Sequence, residues 1–74
     1  MVRLKIRLDT QSQIREFVEI ANTIPEKVYL EDNDNHRVNA KSFLGCLYSI
    51  EFEEVFVASE CENLSNKFFK FIAD

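Results

Sequence analysis

The chain has 74 residues, 46% of them apolar and seven of them Phe, with a formal net charge of -4. That length suits one small domain over residues 1–74 and excludes a second, because domains run from about 50 to 250 residues. One Gly, one Pro and 30% charged residues, with no low-complexity tract, exclude a linker-like chain, and the acidic balance argues against a protein that must neutralise a phosphate backbone.

The charge is unevenly spread. Arg3, Lys5, Arg7 and Arg15 stand against Asp9 at the start, whereas Glu16, Glu19, Glu26, Glu31, Asp32 and Asp34 follow against Lys27 alone. The basic end reads as a solvated strand face, with a small docking face as the alternative. Two cysteines, Cys46 and Cys61, with one histidine make neither a disulfide framework nor a closed zinc site, which fits a reducing cytoplasm. The N-terminus alternates apolar and basic residues where a signal peptide needs an apolar run, and no stretch nears the roughly 18 residues of a membrane span. No targeting or membrane contact is expected.

Val2, Leu4, Ile6 and Leu8 alternate with Arg3, Lys5 and Arg7, the period of a strand with one wet face. Thr10-Gln11-Ser12-Gln13 then offers a capping box, Thr10 with Gln13, and Ser12 as a competing cap. The spacing of Ile14, Phe17, Val18, Ala21 and Ile24 predicts a helix with one inward stripe, stopped soon after Asn22 by Pro25. Arg15, Glu16 and Glu19 fall on its wet side.

Lys27 to Glu31 alternates again with Val28 and Leu30 inward. Asp32-Asn33-Asp34-Asn35 is turn chemistry, so a hairpin into a short strand near Arg37 and Val38 follows. Ala40 to Ser49 predicts a second helix with Phe43, Leu44, Leu47 and Tyr48 on one apolar face, although Gly45 inside it costs about 1 kcal/mol against Ala. Val55 and Val57 bracket Phe56 in another strand, and Leu64, Phe68, Phe71 and Ile72 predict a final amphipathic helix from about Asn63. The order is β-α-β-β-α-β-α. Single apolar faces on every element call for an α+β fold, an open-faced two-layer sandwich with the helices on one side of a mostly antiparallel sheet. The other side would then carry Arg3, Lys5, Arg7, Tyr29 and Phe56.

Val38-Asn39-Ala40-Lys41-Ser42-Phe43-Leu44-Gly45 resembles the V-N-x-K-S-[IM]-[ML]-G signature of HPr, the histidine-containing phosphocarrier of the bacterial sugar phosphotransferase system. The element order is similar too, and the likeness runs from Phe17-Val18 and Ala21 through Val28 and Leu30 to Val55, Val57 and the last helix. The V-N-A-K-S version is especially similar to the catabolite-repression paralogue. The resemblance implies strand order 1-4-2-3 with three helices on one face.

Phosphate-carrying members of that family have a G-[IL]-H-A-R-P run at the entrance to the first helix. Here Asp9-Thr10-Gln11-Ser12-Gln13-Ile14 takes its place, with no His, Gly or Pro. A phosphoester on Thr10 or Ser12 would be stable and could not relay the group as a phosphohistidine does. Thr10, Gln11, Ser12 and Gln13 therefore mark a lost phosphohistidine loop, and phosphocarrier activity is expected to be absent.

The resemblance also implies that Ser42 matches the serine phosphorylated by a dedicated kinase in gram-positive members. Its position as N-cap of the second helix would let a phosphate gain from unpaired backbone N–H groups, and a plain cap worth about 1 kcal/mol is the competing reading. Phe43, Leu44 and Leu47 correspond to the side chains that present the family's short helix to enzyme I and to transcriptional partners. His36 reads as a turn histidine, Glu51, Glu53 and Glu54 as a solvated strand entrance, and Cys46 and Cys61 as packed or merely exposed thiols. No catalytic, cofactor or metal pattern is present.

The expected function is a non-enzymatic, cofactor-free regulatory or adaptor protein, possible partners being HPr kinase, enzyme I or a transcriptional regulator. A divergent phosphocarrier using His36 or another group, and a small self-associating domain, are the alternatives.

Overall fold

The alternation at the N-terminus does build an edge strand. In the computed structural model, which describes residues 1–73, β1 runs Val2–Ile6 and pairs antiparallel with β4, Val55–Ser59, in the register Leu4↔Val57. Asp74, the last residue of the expected domain, lies outside the described residues. β2 (Val28–Glu31) lies between β4 and β3 (Arg37–Asn39), giving the antiparallel order β1-β4-β2-β3. The fold is the α+β sandwich expected from the sequence, with three helices over one sheet face.

Helix α1, Gln11–Ala21, begins as its sequence dictates. Thr10 is the extended N-cap, its Oγ1 accepts from Gln13 N–H at 3.1 Å, and Gln13 Oε1 accepts in return from the N–H groups of Thr10 and Asp9. Thr10 thus prevails over Ser12 as the cap, because the reciprocal bond needs Gln at the third helical position. The stripe Ile14, Phe17, Val18 and Ala21 is buried, and Phe17 stacks on Phe68 with ring centroids 4.6 Å apart while Phe71 meets its edge at 5.9 Å. Leu30, Val57 and Leu64 complete the centre of this layer. Glu16 is half-buried rather than free in water, held by Lys70 Nζ at 2.7 Å.

Two helices are shorter than the sequence suggests. α2 spans only Phe43–Leu47, preceded by Ser42 as N-cap and followed by a 3-10 turn, Tyr48–Glu51. Ala40 is buried ahead of the helix, and its N–H bonds Val28 O, so it extends β3 rather than opening α2. The apolar face expected from Phe43, Leu44, Leu47 and Tyr48 is divided: Cys46 is the side chain fully buried, Phe43 and Leu47 are half-buried, and Leu44 and Tyr48 point to solvent. A five-residue helix has a single inward position per turn, and Cys46 holds it.

The C-terminal helix α3 is one turn, Leu64–Lys67, followed by a 3-10 turn at Phe69–Phe71. Phe68 and Phe71 go inward, but Ile72 leaves the helical stripe to bridge Ile6. Arg7 N–H donates to Phe71 O at 2.8 Å and Ala73 N–H to Lys5 O at 3.0 Å, so this segment closes the free edge of β1.

The open sheet face is ordered by its cations. Arg3 lies over the Phe56 ring at 3.8 Å and Arg37 over Tyr29 at 4.4 Å. Between them Glu31 accepts from Arg3 Nε at 3.0 Å and from Arg37 Nε at 2.8 Å. Burial pushes the Glu31 carboxyl up, but the two guanidinium groups outweigh it and hold the pKa below the usual glutamate value. The two outward aromatics are therefore covered by planar cations in place of bare water.

Candidate functional site

Ser42 stands where β3 hands over to α2. Its backbone is extended, its side chain is half-buried, and its Oγ accepts from Gly45 N–H at 3.1 Å. The neighbouring Lys41 is tied down: Nζ donates to Ile24 O at 2.5 Å, while Asn22 Nδ2 donates to Lys41 O at 3.2 Å. These bonds join the end of α1 to the start of α2 and fix the direction in which the short helix leaves the sheet. A methyl group at Gly45 would touch Asn39 O and the Ser42 side chain at 3.4 Å, an ordinary van der Waals contact.

Beyond Ser42 the surface turns apolar. Leu44 is 74% exposed, Tyr48 67% and Ile50 59%, three large apolar side chains within seven residues. Phe43 lies beside the Arg15 guanidinium of α1, 5.6 Å from its ring centre, and Leu47 packs against the core edge. Of the three residues expected to present this helix, Leu44 is thus the one fully offered to solvent. Tyr48 and Ile50 join it, and a stricter helical count around Cys46 would have placed Tyr48 outward.

The start of α1 is a closed structural cap. Thr10 and Gln13 use their polar atoms on each other, while Gln11 and Ser12 are exposed and line a shallow depression with Arg15, Glu16 and Glu19. No imidazole stands there, for His36, the only histidine in the chain, is at the β2–β3 turn.

At that turn Asn35 takes a left-handed backbone, φ 68°, and Asp32 organises the rest. Asp32 Oδ1 accepts from the N–H groups of Asp34 and His36, and Oδ2 lies 2.7 Å from His36 Nδ1. The Asp32 bond, and then its charge, hold the His36 pKa above the usual imidazole value. The imidazole also stacks on Phe52 with centroids 6.2 Å apart, and Asn33 Nδ2 donates to Glu54 Oε2 at 3.0 Å, so the turn leans on segment 51–54. Glu54 is therefore half-buried and bonded rather than part of a freely solvated run. The sequence offered no sign of this contact.

Cys46 is fully buried, near Ala40 O at 3.4 Å, and burial pushes its thiol up to about 12. Cys61 is half-buried and unbonded to Cys46. No helix among the described residues is long and apolar enough to cross a membrane.

No protein-family model and no curated protein matches the chain. Solved structures do, the following two among them. HPr-C-His from Thermoanaerobacter tengcongensis superposes with a TM-score of 0.66 at 22% identity, over 92% of this chain and 81% of that one. Crh, the Bacillus subtilis catabolite repression containing protein, whose crystal structure is a domain-swapped dimer, superposes with a TM-score of 0.59 at 29% identity, over 95% of this chain and 80% of that one. The chain is similar to both in its fold, which is HPr-like.

Proposed function

We propose that this chain is an HPr-like regulatory or adaptor protein of the cytoplasm that binds a protein partner through α2, the following 3-10 turn and the start of α1. It makes no direct contact with nucleic acid or membrane, relays no phosphoryl group on histidine and takes phosphate on Ser42. The observation that carries this reading is the exposure of Leu44 and Tyr48, one helical turn apart and soon after the N-cap serine, with Ile50 exposed two residues further on. Exposed large apolar side chains grouped on one small element are a protein-binding signature.

A phosphate at Ser42 brings nearly two negative charges and a strongly hydrated group to the rim of that cluster. A partner that covers Leu44 would have to strip water from it or supply a cation, so modification switches partner choice without altering the fold. HPr kinase, enzyme I and a transcriptional regulator are the partners to try. The absence of relay is supported by the start of α1, where Thr10 and Gln13 are spent on each other and no imidazole stands.

Intact mass after two incubations tests the reading. With phosphoenolpyruvate and enzyme I no mass gain is expected, and with ATP and HPr kinase one acid-stable phosphate on Ser42 is expected. An acid-labile phosphate in the first reaction would restore a phosphocarrier, and an unmodified Ser42 in the second would remove the regulatory switch. The swapped dimer of the similar Crh favours self-association as a second reading, for which a mass that rises with concentration is the mark.

A further inference from the structure

The lean of the β2–β3 turn onto segment 51–54 opens a hollow of about 620 Å³. Asp32, Asp34, Glu51, Glu53 and Glu54 line it, against Arg37 and His36 as its cations. Both cations are already engaged: Arg37 bonds Glu31 on the sheet face, and His36 bonds Asp32. Among the described residues no cation pairs with Asp34, Glu51 or Glu53.

The hollow is continuous with the apolar cluster, because Tyr48 belongs to both and Glu51 ends the same 3-10 turn. Phe52 and Tyr48 add aromatic surface to an anionic wall, the setting in which a guanidinium or ammonium group gains both ionic and cation–π attraction. The unpaired carboxylates repel nucleic acid, an anionic lipid surface or an acidic protein segment.

We propose that the apolar α2 face and this hollow form one docking surface for a protein segment that carries an apolar side chain flanked by arginine or lysine. The apolar side chain seats on Leu44 and Tyr48, and the cation enters between Asp34, Glu51 and Glu53. The proposal rests on the docking reading of α2 above and adds the charge of the partner. A divalent cation is the competing occupant, since donor atoms of Asp32, Asp34 and His36 lie within 4.8 Å of one another. Both Asp32 oxygens are spent on the turn, however, so the three groups hold the backbone instead of converging on an ion.

The test is an NMR titration of the isotope-labelled chain with two synthetic amphipathic peptides. Both have leucine at helical spacing; one carries arginine and the other glutamate beside the leucines. The arginine peptide is expected to shift the amides of residues 44–54 and 33–37 saturably and to bind about tenfold more tightly than the glutamate peptide, an advantage that fades with added salt.

E51Q/E53Q should lose most of that preference with an unchanged circular dichroism spectrum, and L44A/Y48S should lose both peptides. Equal binding of the two peptides at residues 43–50 would keep the docking surface and overturn the basic partner. If neither peptide shifts 43–50 at millimolar concentration, the docking reading falls and this proposal with it. Shifts at 32–36 on adding manganese or zinc, with none from the arginine peptide, would assign the hollow to a cation and overturn the proposal.

Discussion

Replacing Ser42 with Ala removes the one side-chain acceptor that α2 has at its start, the Oγ held 3.1 Å from Gly45 N–H. Loss of a serine N-cap costs about 1 kcal/mol, within a range of roughly 0.5–2. Ser42 is half-buried, so water replaces the lost bond only in part, and the cost belongs in the upper half of that range. For a domain of this size each 1 kcal/mol moves Tm by about 4–8 °C. Ser42→Asp keeps an acceptor at the same place and should lie within about 0.5 kcal/mol of the parent. Urea and thermal unfolding followed by circular dichroism, with an unchanged m-value, measure both variants. An Ala variant within about 0.3 kcal/mol of the parent, or an Asp variant that falls as far as Ala, would refute the capping argument.

Cys61 should react with a thiol reagent in the folded protein, whereas Cys46, buried and pushed up to about 12, should react only at the rate of unfolding; equal rates in native buffer would contradict the packing around α2. His36 has its pKa raised by Asp32, so the pair stabilises the fold below the usual imidazole value and the gain is lost as pH rises through the raised one. Ring NMR should place that titration above 6.5, and a value at or below it would mean the bond to Asp32 does not persist in solution. Glu31 has the opposite sign: its contribution is present above the usual glutamate value and is lost as pH falls through the lowered one, an acid-side loss that Arg3→Gln should reduce. Phe17→Ala empties the centre of the aromatic trio and should cost about 3–5 kcal/mol, a large share of a small domain's stability, read as a marked fall in the urea midpoint.

How much of this was legible depends on the distance over which each signal acts. The β1 alternation and the Thr10–Gln13 box are decided within a few residues, and both formed, the strand ending at Ile6 short of Leu8. α2 was read from the spacing of Phe43, Leu44, Leu47 and Tyr48, a stripe that leaves out Cys46. Burial followed the geometry of a short helix leaving a fixed Ser42 cap, so Cys46 went inside while Leu44 and Tyr48 turned to solvent. At the C-terminus the spacing of Leu64, Phe68 and Phe71 was right about burial and wrong about form, because Ile72 gains a bridge to Ile6 by leaving the helix. The hollow between the turn and segment 51–54 could not be read at all. His36 and Phe52, or Asn33 and Glu54, meet only after β2 and β4 have paired, and no local pattern encodes that meeting.

The placement of β1 has a kinetic consequence. The β2–β3 hairpin closes locally through a short turn, with Leu30 opposite Val38. β1 meets neither neighbour until the chain has closed a loop of roughly fifty residues to β4, and its second edge waits for residues 71–73, which are farther still. Such pairings are expensive before they are rewarded, so the strand first in sequence should dock late and set the folding rate. Its amides should exchange with solvent before those of β2, since opening one strand releases both of its seams at once.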